Sequence, residues 1–481
     1  MKHSGRVTRT ALAMVTVLIA SVALNGCSAE PAEELTVLGP WTGDEEVAFK
    51  AVLEDFRDRF GFQPRYQGHR DVSQVLQVAI ERGRPPDVAV LPRVNDLQRY
   101  VNAKQLAPLT GAVTTDPGAA PQLIKVAPKS GGDGDELAYG VAIATNLKSV
   151  VWYDPTELKG LGEDPPRTWD ELVSLTQRKI GDEQVRWCLA MSSQPVSGWP
   201  GTDWIEDILL HQSGQALYEQ WTRGDLAWNS PQVKAAWETW GALLRASSEG
   251  TARASLYTTF ATAAKGLLPS GEAAESSASP PAEAAESEPR RCHLDHQGSF
   301  AIREYRPKPS QTPSPTPTGS AARPLAFFPT PPIGLTDTSA LREVSDDVAV
   351  MFSDTEDSKD NKDTERASKL MTYLASAEAQ ADWREHTQDV AFSRRSHAPE
   401  YQDKALAAVA ERLRTGTLCW DGSDLMPAAM ATAFERAVLV YLEAPERLDS
   451  LLAELEASRL APSAEWMALT CVPAGKKETE R

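Results

Sequence analysis

Apolar residues in the first part of the chain follow two alternating spacings, which predict alternating strands and helices. Short apolar runs of four or five residues indicate buried strands, and apolar positions repeating every three to four residues indicate amphipathic helices. The predicted strands are 35–38, 63–66 and 87–91, and the predicted helices are Asp44–Phe60 and 71–82. This order predicts a parallel α/β layer, in which ligands gather at the carboxyl ends of the strands, here 39–43 and 92–96.

Local signals also predict where the first helix begins and ends. Thr42 and Glu45 have the spacing of a capping box, and Gly61 suits the helix end.

The pattern changes in the middle of the chain and again near its end. A helix is predicted from Trp169, and seven tryptophans lie between 187 and 240. Each is more simply explained by core packing than by ligand binding. Further on, the pattern predicts a strand at 347–352, one long helix at 364–383 and a helical region at 426–458.

Two segments, 266–291 and 306–322, are rich in Pro, Ser, Ala and Glu and too low in complexity to pack a core. They flank an ordered-looking island at 292–300. This arrangement predicts two surface insertions and not a domain boundary.

The first 27 residues carry an export signal. Lys2, Arg6 and Arg9 precede a short apolar run at 11–23, and Cys27 follows a small residue. This pattern is typical of a secretory signal peptide. Cys27 resembles the cysteine of the bacterial lipoprotein lipobox, which implies a signal peptide at 1–26, lipidation of Cys27, an anchor linker at 27–34 and a location on the outer face of the cell membrane. The other reading is an ordinary signal peptide that ends near a cysteine.

Charge narrows the range of partners. The whole chain has a net charge of −18, and removal of the basic leader makes it three units more negative. Such a chain repels phosphate, so nucleic acid binding is not expected. Four cysteines remain beside Cys27, which suggests two disulfides in an oxidising compartment, but spacing alone does not choose among the three pairings.

No catalytic or metal motif is evident. Cys292, His293 and His296 are superficially like zinc ligands, but a fourth ligand is lacking, so no metal is expected. Nucleophile, phosphate-loop and metalloprotease motifs are absent, and no cofactor is predicted. Carboxylates are abundant, which leaves a glycosidase pair open without singling one out.

Several segments resemble one family. Val-Trp-Tyr-Asp-Pro at 151–155 followed by Pro-Pro-Arg-Thr-Trp-Asp-Glu-Leu at 165–172 resembles a run in extracellular solute-binding proteins of ATP-driven carbohydrate importers, as does Pro-Pro-Asp-Val at 85–88. The segments 198–207, 296–300, 347–353 and 421–427 resemble an α-glucoside-type subgroup. Phe434 and Glu435 depart from the aromatic pair of many relatives.

The resemblance implies a periplasmic-binding-protein-like fold, with two doubly wound α/β lobes, a hinge and a ligand cleft. Lobe 1 is expected at 35–145 plus 297–352, and lobe 2 at 146–296 plus 353–471, with a frayed tail at 472–481. The chain should cross between lobes near 144–150, 296–300 and 353–369.

Ligand contacts are expected from both lobes and from the crossings. The indole at the end of the first strand and the aromatic rings at 199–204 suit the faces of a sugar. The helix start beside that indole and the carboxylate at 203 suit its hydroxyl groups. Asp203 has the alternative role of a helix N-cap, and Trp41 that of covering a helix start. The expected ligand-binding residues are Trp41, Thr42, Gly43, Asn146, Lys148, Trp199, Asp203, Trp204, Gln297, Phe328 and Asp347.

The resemblance also suggests a disulfide pairing. It places Cys292 at the edge of the same lobe as Cys188, so we pair these two, and Cys419 with Cys471 in the C-terminal region.

The expected function is that of a lipid-anchored, non-enzymatic carbohydrate receptor. It should be a monomer that binds a small neutral carbohydrate and delivers it to the permease subunits of an importer. The alternatives are a surface glycoside-active enzyme, or a sensor or scaffold that keeps the fold without sugar uptake.

Overall fold

The computed structural model describes most of the chain from Leu35 to Ala474. The described residues are 35–109, 123–127, 136–180, 182–193, 197–247, 251–267, 291–305, 324–334, 337–353, 361–387, 401, 403–462 and 465–474. The predicted signal peptide, Cys27 and its linker, nearly all of the two low-complexity segments and the end of the tail lie outside these ranges.

Strands form one large sheet and two small ones within the described ranges. They are β1 Thr36–Gly39, β2 Arg65–Gly68, β3 Val88–Leu91, β4 Leu123–Val126, β5 Leu137–Leu147, β6 Val150–Tyr153, β7 Lys179–Ile180, β8 Glu183–Gln184, β9 Leu294–His296, β10 Ala326–Pro329, β11 Leu341–Met351, β12 Thr417–Trp420 and β13 Val472–Pro473.

Sixteen helices accompany them in the described part of the chain. They are α1 Asp44–Phe60, α2 Val72–Glu81, α3 Asn95–Asn102, α4 Pro155–Gly160, α5 Trp169–Thr176, α6 Trp199–Ser213, α7 Gln215–Thr222, α8 Pro231–Ala246, α9 Thr251–Ser255, α10 Phe260–Leu267, α11 Asn361–Leu374, α12 Ala377–Thr387, α13 Lys404–Arg414, α14 Gly422–Leu425, α15 Ala428–Glu443 and α16 Leu448–Arg459. Two short 3₁₀ helices lie at Ser299–Arg303 and Pro445–Arg447.

The large sheet has the order β13-β12-β11-β3-β1-β2, with β5 paired to both β11 and β4. Strand β1 lies parallel to β2 and to β3, which confirms the predicted parallel layer. Val37 of β1 and Val88 and Val90 of β3 pack in one core with Phe49, Val52 and Phe56 from the apolar stripe of α1. The carboxyl ends of β1 and β3 therefore lie at one edge of the sheet, where Arg93 follows β3.

The two longest strands carry the chain out of this layer. Strands β5 and β11 are antiparallel over most of their length, and their register shifts between Asp347 and Val348. A register shift bends a strand and redirects the side chains beside it. Just after β5, Lys148 leads into β6, and the Leu147 N–H donates to Ser299 Oγ at 3.1 Å. The first two predicted crossings thus lie side by side.

Beyond the crossings, the structure is mainly helical and closes on a small antiparallel sheet. Strand β6 pairs with β10 on one side and β9 on the other. Helices α6, α8, α15 and α16 pack into a core rich in tryptophan. Six of the seven tryptophans between 187 and 240 are buried, as core packing predicts, and only Trp199 keeps partial exposure.

The two disulfides have the pairing expected from the sequence. Cys188 is bonded to Cys292, with their Cα atoms 5.1 Å apart. Cys419 is bonded to Cys471, with their Cα atoms 4.1 Å apart. Both Cα separations are short enough for a disulfide. The first bond holds the 292–300 island against the 188 segment, and the second holds the C-terminal segment beside β12.

Three local predictions were wrong. Gly43, with φ of 64°, is the N-cap of α1 and there is no side-chain cap, so the Thr42–Glu45 capping box does not form. The long helix predicted at 364–383 is two helices, because Ser376 caps a new one through Oγ and the Ala379 N–H. Val472–Pro473 is not frayed but pairs with β12.

The predicted lobe boundaries also need correction at two places. Helices α11 and α12 were assigned to lobe 2, but Tyr373 and Trp383 pack in the same core as Phe49 and Phe56 of α1. Strand β10 was assigned to lobe 1, but it pairs with β6. In both cases the packing partner is distant in sequence, which local patterns do not reveal.

Among the described residues, no helix has both the length and the apolarity that crossing a bilayer requires.

Candidate functional site

A buried lysine lies where the crossings meet the N-terminal end of α6. Lys148 Nζ lies 2.8 Å from Asp203 Oδ2 on α6 and 3.2 Å from Asp421 Oδ2, which follows β12. The three side chains are less than a tenth exposed. They come from three separate parts of the chain, so this ion cluster (Lys148, Asp203 and Asp421) joins the crossing to the helical half of the molecule.

Two aromatic rings cover one side of the ion cluster. Lys148 Nζ lies 5.2 Å from the ring centre of Trp199 and 5.7 Å from that of Phe300. The rings of Trp199 and Phe300 are 5.8 Å apart, and both keep partial exposure. A cation beside partly exposed aromatic faces leaves an apolar surface next to charged acceptors.

Burial and charge act in opposite directions in the ion cluster. Burial alone lowers the pKa of Lys148, but the negative charges of Asp203 and Asp421 outweigh it and hold that pKa well above its usual value. Burial raises the pKa of Asp203 to about 6, although Lys148 opposes the rise. The ion pair between Lys148 and Asp203 is therefore complete only above about pH 6.

Asp421 is held in place by its own loop as well as by Lys148. Its Oδ1 accepts hydrogen bonds from Ser423 Oγ at 2.8 Å and from the Asp424 N–H at 3.1 Å, as the N-cap of α14. A Ser or Asp near a helix start satisfies N–H groups that lack partners inside the helix. The sequence thus folds this loop so that one carboxylate oxygen of Asp421 remains for Lys148.

A second ion pair joins the large sheet to the helical half of the molecule. Arg93, just after β3, lies with Nη2 at 2.5 Å from Oε1 of Glu435 on α15. The Glu435 side chain is 5% exposed, and burial raises its pKa while Arg93 opposes the rise. The pair connects the strand-end edge of the large sheet to the helical half.

Behind the ion cluster, His296 packs against helix α6. The ring of Trp204 stacks on His296 with ring centres 4.1 Å apart. His296 Nε2 lies 2.8 Å from Asp207 Oδ2. Gln297 is buried, and its backbone carbonyl accepts a hydrogen bond from Trp152 Nε1 at 2.9 Å. Trp204 therefore supports this part of α6 and its face is occupied by His296.

Asn146 and Asp347 lie together at the bend of β5 and β11. Both keep partial exposure, and Asp347 sits at the register shift. Burial, with Glu45 nearby, raises the pKa of Asp347 to about 7. Glu45 in turn pairs with Arg303 at 2.8 Å, so polar groups of α1 reach the bend.

Among the residues at the end of β1 that were expected to bind ligand, Trp41 is poorly accessible. Trp41 is 5% exposed, and its ring packs at 4.7 Å from Phe49 and 4.6 Å from Trp383. Its indole faces are covered in this conformation, as expected for a tryptophan that covers a helix start. Thr42 and Gly43 beside it are more open.

The structure also bears on the roles predicted for Phe328 and Asp203. Phe328 is buried against Tyr153 in the helical core. Asp203 is not an N-cap, since Gly198 is the N-cap of α6. The structure thus brings together Lys148, Asp203 and Trp199, with Asn146 and Asp347 at the adjoining bend.

Sequence reasoning did not identify several residues as parts of the site. Asp421 and Phe300 lie in segments that carried the family resemblance, so that resemblance could have pointed to them. Arg93 lies at a predicted strand end, and Glu435 was noted only as a departure from an aromatic pair. Their partners are hundreds of residues away, which no local pattern reveals.

The superficial zinc ligands have other roles. Cys292 is in a disulfide, His293 Nδ1 accepts a hydrogen bond from the Arg186 N–H at 3.0 Å, and His296 pairs with Asp207. These three residues do not form a metal site.

Most of this chain is similar in sequence to known proteins. Residues 42–381 match the family of bacterial extracellular solute-binding proteins. Similar proteins include the alpha-glucosides-binding periplasmic protein AglE of Rhizobium meliloti (strain 1021), 29% identical over 402 residues, with 82% of this chain and 80% of AglE covered. The osmoprotective compounds-binding protein GgtB of Synechocystis sp. (strain ATCC 27184 / PCC 6803 / Kazusa) is 26% identical over 428 residues, with 87% and 92% covered.

Solved structures share the fold. The bacterial solute receptor AcbH superposes with a TM-score of 0.67 at 16% identity, covering 88% of this chain and 98% of AcbH. The binding protein RafE in complex with raffinose gives a TM-score of 0.61 at 14% identity, with 88% and 98% covered. Together with the family match, these similarities confirm the predicted periplasmic-binding-protein-like α/β fold.

Proposed function

We propose, because this chain belongs to the bacterial extracellular solute-binding protein family, that it is a receptor which binds a small neutral carbohydrate and delivers it to an ATP-driven importer. The family consists of binding proteins and not of enzymes. Neither alternative from the sequence, a glycoside-active enzyme or a scaffold without a ligand, is favoured by a specific feature of the described residues.

The single observation that carries this proposal is the ion cluster beside Trp199 and Phe300. Carboxylate oxygens accept hydrogen bonds from sugar hydroxyls, and a lysine ammonium donates to sugar oxygens. Partly exposed aromatic rings offer a surface for the C–H face of a sugar. Both kinds of group lie within 6 Å of Lys148 Nζ.

The charges around the site support a neutral ligand. Lys148 is already neutralised by Asp203 and Asp421, and Arg303 at the bend is paired with Glu45. An anionic sugar would find these cations already paired with carboxylates, so we propose that uronic acids and sugar phosphates are excluded. The names of AglE and GgtB refer to alpha-glucosides and to osmoprotective compounds, and we propose an α-glucoside here.

The Arg93–Glu435 ion pair suggests a short ligand. It spans the space between the end of β3 and α15. A long oligosaccharide running across this space would have to separate two charges of which one is nearly buried, and that separation is costly. We therefore propose a ligand of one or two sugar rings.

The mode of attachment to the cell is also part of the proposal. The pattern of the first 27 residues supports export and lipidation of Cys27, and two acyl chains hold a protein firmly at a membrane. We propose that a monomer anchored in this way presents the ligand to its permease. Metabolic labelling with a radioactive fatty acid, compared with Cys27→Ser, tests the anchor directly.

A thermal-shift screen tests the ligand. The purified protein is heated with matched neutral and acidic sugars, such as methyl α-glucoside and glucuronate, and with neutral disaccharides. We expect at least one neutral compound to raise Tm by mass action, and glucuronate to leave it unchanged. The proposal fails if no neutral compound raises Tm, or if the acidic sugar stabilises more than its neutral counterpart.

A further inference from the structure

Three buried carboxylates meet beside the ion cluster, and Asp421 belongs to both groups. Glu206 on α6, Glu343 on β11 and Asp421 after β12 each offer an oxygen, and these oxygens lie within 4.8 Å of one another. Glu206 and Glu343 are 0% exposed, and Asp421 is 2% exposed. Three like charges at this distance in a dry environment repel strongly.

Glu343 gives the observation that points to a ligand. Its side chain is fully buried, and neither of its two carboxylate oxygens receives a hydrogen bond from any group in the described part of the chain. A carboxylate buried without a donor is expensive and is rarely retained. At least one of these two oxygens lies within 4.8 Å of an oxygen of Glu206 and of one of Asp421.

Glu206 also has one carboxylate oxygen that receives no hydrogen bond in the described part of the chain. Its Oε2 accepts hydrogen bonds from the Gly422 and Ser423 N–H groups, the latter at 3.1 Å. Its Oε1 is buried and receives none from the described residues. The backbone thus fixes the Glu206 side chain so that Oε1 remains available toward Glu343.

The charge of the group is only partly balanced. Lys148 approaches Asp421 at 3.2 Å but is shared with Asp203 at 2.8 Å. Asp207, one residue beyond Glu206, lies instead beside His211 and His296. No basic side chain in the described ranges pairs with Glu206 or Glu343, so the excess negative charge remains at their oxygens.

We propose that Glu206, Glu343 and Asp421 together bind one calcium ion. Carboxylate oxygens are the ligands that hard divalent cations prefer, and calcium accepts an irregular set with bidentate carboxylates. Magnesium keeps several waters and needs near-octahedral geometry, which suits a closed carboxylate site poorly. The ion satisfies the unpaired oxygens of Glu343 and joins α6, β11 and the loop after β12 beside the crossings.

The competing occupant is a proton. Burial raises the pKa of Glu206 and Glu343 well above the usual range, so protonation would also reduce the charge. The carboxyl groups of Glu206 and Asp421 are close enough to share a hydrogen bond, but one proton between them leaves both oxygens of Glu343 without a donor, whereas a cation also contacts Glu343. The two occupants differ in their response to calcium at neutral pH.

Calcium titration of the purified full-length protein separates them. The protein is freed of metal with EDTA, transferred to pH 7.5 with 100 mM KCl, and heated with calcium or magnesium chloride. We expect calcium to raise Tm by roughly 3–5 °C, magnesium to raise it far less, and equilibrium dialysis to find one tightly bound calcium per chain. The absence of bound calcium, or equal shifts with both metals, overturns the proposal.

A matched pair of variants locates the ion. Glu343→Gln keeps the shape and removes one charge, so we expect it to lose the calcium shift and to melt no lower than the wild type in EDTA. Glu378→Gln makes the same change at an exposed position on α12 and should keep the full shift. Retention of the shift in Glu343→Gln assigns calcium to the acidic surface and overturns the proposal. If Glu343→Gln does not fold, the stoichiometry and metal preference of the wild type decide. Neither measurement uses a sugar, so the outcome is independent of the proposed ligand.

Discussion

Replacing Lys148 with methionine removes the only cation that lies within ion-pair distance of Asp203 among the described residues. The side chain keeps a similar length, so the change mainly deletes charge. At 2.8 and 3.2 Å from the two carboxylates, the attraction in a medium of effective dielectric constant about 20 is on the order of 5–6 kcal/mol for each pair before desolvation. Breaking a buried pair by removing one partner typically costs about 3–5 kcal/mol, and we expect a loss in that range.

The pH dependence of this loss has a defined sign. The pKa of Asp203 is already raised to about 6 in the presence of Lys148, and it rises further when the lysine is removed. In the variant, the folded state therefore holds a proton that the unfolded state releases, which favours folding at low pH. The deficit of Lys148→Met should shrink as pH falls from 8 to 5.

Urea unfolding followed by circular dichroism measures both effects. Lys234→Met is the matched control, because Lys234 lies 2.5 Å from Asp449 in an exposed pair with side chains 37% and 81% exposed, and it should change stability very little. Adding Asp203→Asn to Lys148→Met should restore part of the loss. A loss below about 1 kcal/mol, or one that is equal at pH 5 and pH 8, refutes the reasoning.

Three other changes have defined outcomes. Asp295 is buried and accepts a hydrogen bond from Tyr305, and burial raises its pKa to about 7. Between pH 4 and 7 its carboxyl group is protonated in the folded state only. The free energy of unfolding should therefore fall by up to about 4 kcal/mol as pH rises through that window. Asp295→Asn should flatten that part of a pH–stability curve, and an unchanged slope contradicts the assignment. Trp199→Ala should weaken sugar binding roughly tenfold in a fluorescence titration while Tm changes little; unchanged affinity removes Trp199 from the site. The double replacement of Cys188 and Cys292 with serine should cost about 2–5 kcal/mol in urea unfolding, since the bond closes a loop of 104 residues; an unchanged midpoint would show that the bond adds no stability.

The elements predicted best from the sequence have strong local signals. Helix α1 has the predicted bounds because its apolar stripe and Gly61 act over a few residues. The division between α11 and α12 was missed because Ser376 ends one helix and caps the next without Gly or Pro. A serine in a helical pattern gives no such signal by itself.

The candidate site was only partly predictable, since its contacts are distant in sequence. Lys148 and Asp203 were singled out separately, but their pairing depends on how α6 packs against the crossing. Trp41 had two readings of equal merit, and Trp383, far along the chain, covers its ring. Glu343 attracts no attention in a strand pattern, and its unpaired carboxylate becomes visible only in three dimensions.

The central claim is that a neutral sugar binds beside the ion cluster, and calorimetric titration with the most stabilising neutral sugar tests it most directly. The account predicts one site per chain with a Kd at or below roughly 10 μM, equivalent to about −7 kcal/mol, and the same titration with the matching uronic acid should give no heat of binding. A folded protein that gives no saturable heat with any neutral sugar up to millimolar concentration would contradict it.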